Sequence, residues 1–81
     1  MFVLVGVGEE NKIVSKKKYD LKPSVRSFIR ARTVWEKKYK RYVTMWLLDF
    51  ETNKAYLIGP SSNTICGWRT MTENEKQLVN R

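Results

Sequence analysis

Residues 41–59 read RYVTMWLLDFETNKAYLIG, and the fold turns on this stretch. Between positions 42 and 50 only Thr44 and Asp49 are not apolar. The polar cluster Glu51-Thr52-Asn53-Lys54 follows, then a second apolar run at 55–58, closed by Gly59-Pro60. Two β-prone runs around a short polar cluster predict a β-hairpin, because aromatic and β-branched side chains suit a pleated, half-buried surface. Asn53 is the turn residue best able to take a positive φ. This hairpin is the expected centre of the fold.

Working outward, residues 1–7 predict a first strand. Val3, Val5 and Val7 share one face and Phe2 and Leu4 the other, so the strand is expected to be covered on both sides. Residues 12–19 predict its partner across a turn at 8–11. Lys16-Lys17-Lys18 dilutes the β signal of Ile13, Val14 and Tyr19, which suits an edge strand, where lysines discourage pairing with other chains. Gly6 and Gly8 lack the third glycine and the Gly-Lys-Ser/Thr of a phosphate-binding loop, and are read as turn geometry.

Pro23 breaks the pattern, since it cannot sit in a central strand. Residues 24–35 then fit two templates. Val25, Phe28, Ile29, Arg32 and Trp35 follow helical spacing, with Ser24 as a cap. Ile29, Ala31, Thr33 and Trp35 equally form one face of a strand, leaving Arg30 and Arg32 on the other. The pair Thr33-Val34, the Trp and the polar cluster at 36–40 favour a strand over 28–36, preceded by a short helical turn at 24–28. Residues 64–69 predict a last short strand, with Gly67 at a bulge or a close backbone approach. Thr72, with Glu75 three residues on, forms a capping box that opens a terminal helix, docked through Met71, Leu78 and Val79.

The expected fold is α+β and mostly β. One domain over residues 1–81 holds a small antiparallel meander sheet or open barrel of about five to six strands, with a C-terminal helix. The order of meander strands and helix over 28–80 resembles that of the amino-terminal arm-site DNA-binding domains of phage and transposon integrases, which lay a sheet into the major groove. That likeness covers element order alone, and the amino-terminal hairpin departs from it.

With 81 residues only a modest core can form. The single cysteine, Cys66, excludes an internal disulfide and is read as a small buried apolar residue. Without histidine, general acid–base, triad and metal chemistry have little to work with, so a non-enzyme with no cofactor and no metal is expected. The opening MFVLVGVG is too short for a membrane span and has no basic lead, so no membrane partner is expected. A cytoplasmic, intracellular protein is the expectation, the product of a virus or plasmid acting in a host cell included. Trp46 and Trp68 are expected to fill the core.

Charge points to a partner. The net charge is +8, yet residues 12–41 hold twelve of the sixteen Lys and Arg with only Asp20 and Glu36 against them. That region therefore carries +10 and the remainder −2. Such asymmetry favours a polyanion. The candidate nucleic-acid-binding residues are Arg26, Arg30, Arg32, Lys37, Lys38, Tyr39, Lys40 and Arg41, with Lys16, Lys17 and Lys18 as a second cluster. Arginines on a rigid element hold phosphates with fixed geometry, and Tyr39, Tyr42 or Trp35 can stack on bases. DNA, RNA and an acidic protein surface all fit this charge. A homodimer through an open sheet edge suits either kind of partner.

Overall fold

The computed structural model describes residues 1–80. The chain forms β1 (Phe2–Val7), β2 (Ile13–Tyr19), α1 (Val25–Tyr39), β3 (Thr44–Asp49), β4 (Lys54–Ile58), β5 (Ile65–Thr70) and the short α2 (Glu73–Lys76), which runs on as a 3-10 turn over Gln77–Asn80. The strands make one open antiparallel sheet in the order β2-β1-β3-β4-β5. The mostly β α+β expectation holds, with five strands.

The hairpin at 41–59 forms as its sequence predicts. Met45 faces Ile58, Leu47 faces Tyr56, and Asp49 faces Lys54. Asn53 takes φ 61° in the turn, and the Asp49 carboxylate accepts from the amides of Glu51 and Thr52. The twofold period of the strands then sorts side chains into two cores. Leu4, Met45, Leu47 and Ile58 join Phe28, Ala31 and Trp35 of α1 on one face. Val3, Val5, Leu48 and Ala55 join Met71 and Leu78 on the other. Each fully buried Val, Leu, Ile, Phe or Met among them contributes about 1.5–3 kcal/mol on burial. β1 is paired on both sides and covered on both faces, as its sequence predicts.

Residues 25–39 are helical, which corrects the strand expected over 28–36. Topology decides between the two templates. β1 is antiparallel to both β2 and β3, so β2 and β3 are parallel to each other, and parallel strands need a long crossover. A helix supplies it while laying Phe28, Ala31, Arg32 and Trp35 on the sheet at i, i+3, i+4 and i+7 spacing. Ser24 caps it by accepting from the Ser27 amide, and the Thr33 hydroxyl donates back to the Ile29 carbonyl, so the β-branched residue is accommodated. The three-strand meander is therefore β3-β4-β5, and the element order drawn from residue 28 onward does not hold.

Three smaller readings also change. Gly6 lies inside β1, not in a turn: a Cβ there would stand 2.8 Å from Cε3 of Trp35, so glycine is what lets the indole lie against the strand. Cys66 is exposed rather than buried, as the extra residue of a bulge beside Gly67. Trp68 is 62% exposed, on the outermost strand, with Lys54 over its ring, whereas Trp46 does pack against the second core. At the C-terminus the capping box of Thr72 and Glu75 is present, and Met71 and Leu78 are buried. The side chain of Val79 lies outside the described residues.

Candidate nucleic-acid interface

The burial of one stripe of α1 fixes what the opposite stripe presents. At 100° per residue, Arg26, Arg30 and Lys37 fall within about 40° of one another, directly opposite Phe28 and Trp35. They are exposed along about 17 Å of helix axis. Lys38, Lys40 and Arg41 follow where the helix ends, with Lys40 in the left-handed conformation that closes it. Lys37 and Lys38 also sit favourably at the negative end of the helix dipole. Among the described residues, Arg26, Arg30, Lys37, Lys38 and Lys40 have no acidic side chain within ion-pair distance. Arg41 is different, with Nη1 at 3.2 Å from the Glu9 carboxylate.

Arg32 and Tyr39 are drawn inward. Arg32 is 8% exposed, and its guanidinium donates to Asn63 Oδ1 at 2.8 Å, the Gly59 carbonyl at 3.1 Å and the Val43 carbonyl at 3.3 Å. It ties the 59–63 loop and the start of β3 to the helix, so it is absent from the basic surface. The Tyr39 hydroxyl donates to the Val14 carbonyl at 2.7 Å and meets Ser15 Oγ at 3.3 Å. The Ser15 bond, aided by the charge of Lys38, holds this phenol below its usual pKa against the opposing effect of burial. Trp35 is buried, so of the three aromatics expected to stack, Trp35 and Tyr39 are both turned into the structure. Tyr42 is 90% exposed.

The lysine triplet divides between the two faces of the sheet. Lys17 pairs with Leu4 and points to the α1 side, whereas Lys16 and Lys18 pair with Val5 and Val3 and point to the α2 side. Lys17 thus joins the α1 surface. Lys16 borders an open groove with Glu10, Lys12 and Asn74 instead. Lys17 and Tyr19 of β2, with Ser27, Arg30, Val34 and Trp35 of α1, line a hollow of about 170 Å³ in the seam between the two elements. Tyr19, Ser27 and Val34 are not among the candidate binding residues of the sequence. Only the packing of α1 against β2 brings them together, and no local motif signals it.

On the α2 side, Arg69 is the cation that is neutralised. Arg69 binds the Glu75 carboxylate through two nitrogens, at 2.6 and 3.0 Å, and stacks 4.1 Å from the Trp46 ring. Burial works to raise the Glu75 carboxyl, but the Arg69 bonds, the Thr72 amide and the charge of Arg69 outweigh it and hold it below the usual glutamate value. Among the described residues, no group of three acidic or cysteine side chains is placed to hold a metal ion. No helix among them is long and apolar enough to cross a membrane. Comparison with known protein families, characterised proteins and solved structures finds no match.

Proposed function

We propose that this chain is a small, non-catalytic nucleic-acid-binding protein that holds phosphates on the surface formed by α1 and the adjoining side of β2. The observation that carries this reading is the line of exposed cations without acidic partners, Arg26, Arg30 and Lys37, extended by Lys17, Lys38 and Lys40. Six cations fixed on or beside one rigid helix suit a regularly charged polymer, with Arg supplying bidentate and Lys diffuse contacts. Tyr42 adds an exposed ring beyond the helix end, in a position to stack.

Fluorescence anisotropy with labelled duplex, single-stranded DNA and RNA tests it. Six phosphates neutralised give a log–log salt slope of about −5 on duplex and about −4 on single strands. The Arg30→Ala/Lys37→Ala variant is expected to bind more weakly with a shallower slope. Affinity no greater than that of a generic polycation, unchanged in the variant, overturns the proposal.

A second reading has its own support. Val25, Ile29 and Val34 are exposed on α1 among the cations, and apolar side chains beside arginines suit an acidic protein surface. That reading predicts a stoichiometric complex with one acidic protein and negligible affinity for nucleic acid.

A further inference from the structure

The cations of α1 are not symmetric about its outer stripe. On the side toward β2 the stripe is continued by Ser27, Lys38 and, from the sheet, Lys17. On the other side it meets exposed Ile29 and Val25 and the acid Glu36, whose carboxylate accepts from the Val43 amide. A duplex major groove straddling α1 would bring phosphate walls against both flanks, and one of those flanks is apolar and acidic. The favourable track for a polyanion runs instead along the α1–β2 seam.

The hollow of about 170 Å³ lies in that seam. Its polar lining residues are Lys17, Arg30 and Ser27. Its more apolar ones are Tyr19, Ala31, Val34 and Trp35, and Lys17 Nζ stands 5.4 Å from the Tyr19 ring centre. A hollow lined by two cations, a serine, aromatic rings and an aliphatic side chain matches what an unstacked base attached to a phosphate requires. A backbone contact alone needs no such recess. Bases inside a duplex do not present their faces.

Resting on the nucleic-acid reading above, we infer that the ligand class is single-stranded nucleic acid, with one base seated in the Tyr19–Val34 hollow and the flanking phosphates on Lys17 and Arg30. Stacking makes the base a contributor to affinity, and its tolerance of every base predicts weak sequence preference.

The test compares three labelled probes of equal length on the whole chain: a single strand, the same strand with abasic sites throughout, and a duplex. The natural strand is expected to bind roughly tenfold tighter than the abasic one, which keeps the phosphates and lacks the rings. Val34→Lys, at a position 56% exposed, fills the hollow while adding a positive charge. It is expected to weaken the natural strand and to leave the abasic strand equal or tighter. Natural and abasic strands that bind equally overturn the base site and leave the phosphate surface standing. Salt-sensitive binding of none of the three overturns the surface and the base site together.

Discussion

Replacing Arg32 by Ala removes a guanidinium that joins three parts of the molecule: α1, the residue leading into β3, and the loop after β4. The side chain donates to Asn63 Oδ1 and to two carbonyls, at Val43 and Gly59, and the latter two bonds are buried. Hydrogen bonds from a charged group are worth roughly 1.5–3 kcal/mol each, and orphaned buried acceptors add to the loss. Three bonds made by one side chain do not add independently, so the expected loss is about 3–4 kcal/mol. Domains of this size have about 4–12 kcal/mol in total, so the variant loses a large share of its stability. At roughly 4–8 °C per kcal/mol, Tm falls by about 12–32 °C. Urea unfolding followed by circular dichroism measures it, with the midpoint falling at constant slope. Arg30→Ala, two residues away on the exposed stripe, is the control and stays within about 0.5 kcal/mol of the native chain. Arg32→Lys rescues little, because one ammonium does not span three acceptors set around a planar fork. An Arg32→Ala chain within about 1 kcal/mol of the native one refutes the assignment of Arg32 as the tie between these segments.

Other substitutions separate the roles of neighbouring residues. Gly6→Ala places a methyl 2.8 Å from Trp35 and is expected to cost about 1–3 kcal/mol, read from the same urea midpoint. A native-like midpoint would mean that the indole is free to shift. Within the lysine triplet, Lys17→Ala is expected to weaken nucleic-acid binding clearly more than Lys16→Ala or Lys18→Ala, since Lys17 alone is on the α1 side. Equal effects from all three would point to net charge in place of geometry. The Glu75 carboxyl is held below the ordinary 4.5 and that of Asp49 below 3.8, despite burial. Depressed folded values stabilise the native state above the unfolded pKa, and that stability is lost as pH falls through the folded values. Tm is therefore expected to drop below about pH 4.5, and Glu75→Gln to flatten part of the drop; a Tm unchanged down to pH 3 contradicts it.

Much of the sheet was legible because its strands carry strong local signals. The run from Met45 to Leu48 is apolar on both faces, Asn53 marks its turn, and Lys16-Lys17-Lys18 marks an edge. The capping box at Thr72 and Glu75 is likewise a local arrangement. Residues 24–35 were not legible, because Val25, Phe28, Ile29, Arg32 and Trp35 fit the helical period while Ile29, Ala31, Thr33 and Trp35 fit the strand period. What selects the helix is nonlocal: β3 inserts beside β1, and the resulting parallel relation to β2 demands a crossover. That single choice moves Arg32 from the surface to the interior and lifts Arg26, Arg30 and Lys37 onto one outer stripe. The inward turn of Tyr39 follows from the same packing, as does the outward placement of Trp68 from the position of β5 at the sheet edge. Composition indicates how much charge there is. Only the fold indicates which cations share a surface.

The proposed ligand surface is α1 with the adjoining side of β2. It is tested most directly by titrating a labelled single strand across a range of salt with the native chain and with Arg30→Ala/Lys37→Ala, whose exposed positions leave the core untouched. The predicted result is a log–log slope of about −4 for the native chain, reduced in magnitude by about 1.4 in the variant at unchanged Tm. A slope near zero, or one identical in the two proteins, contradicts it.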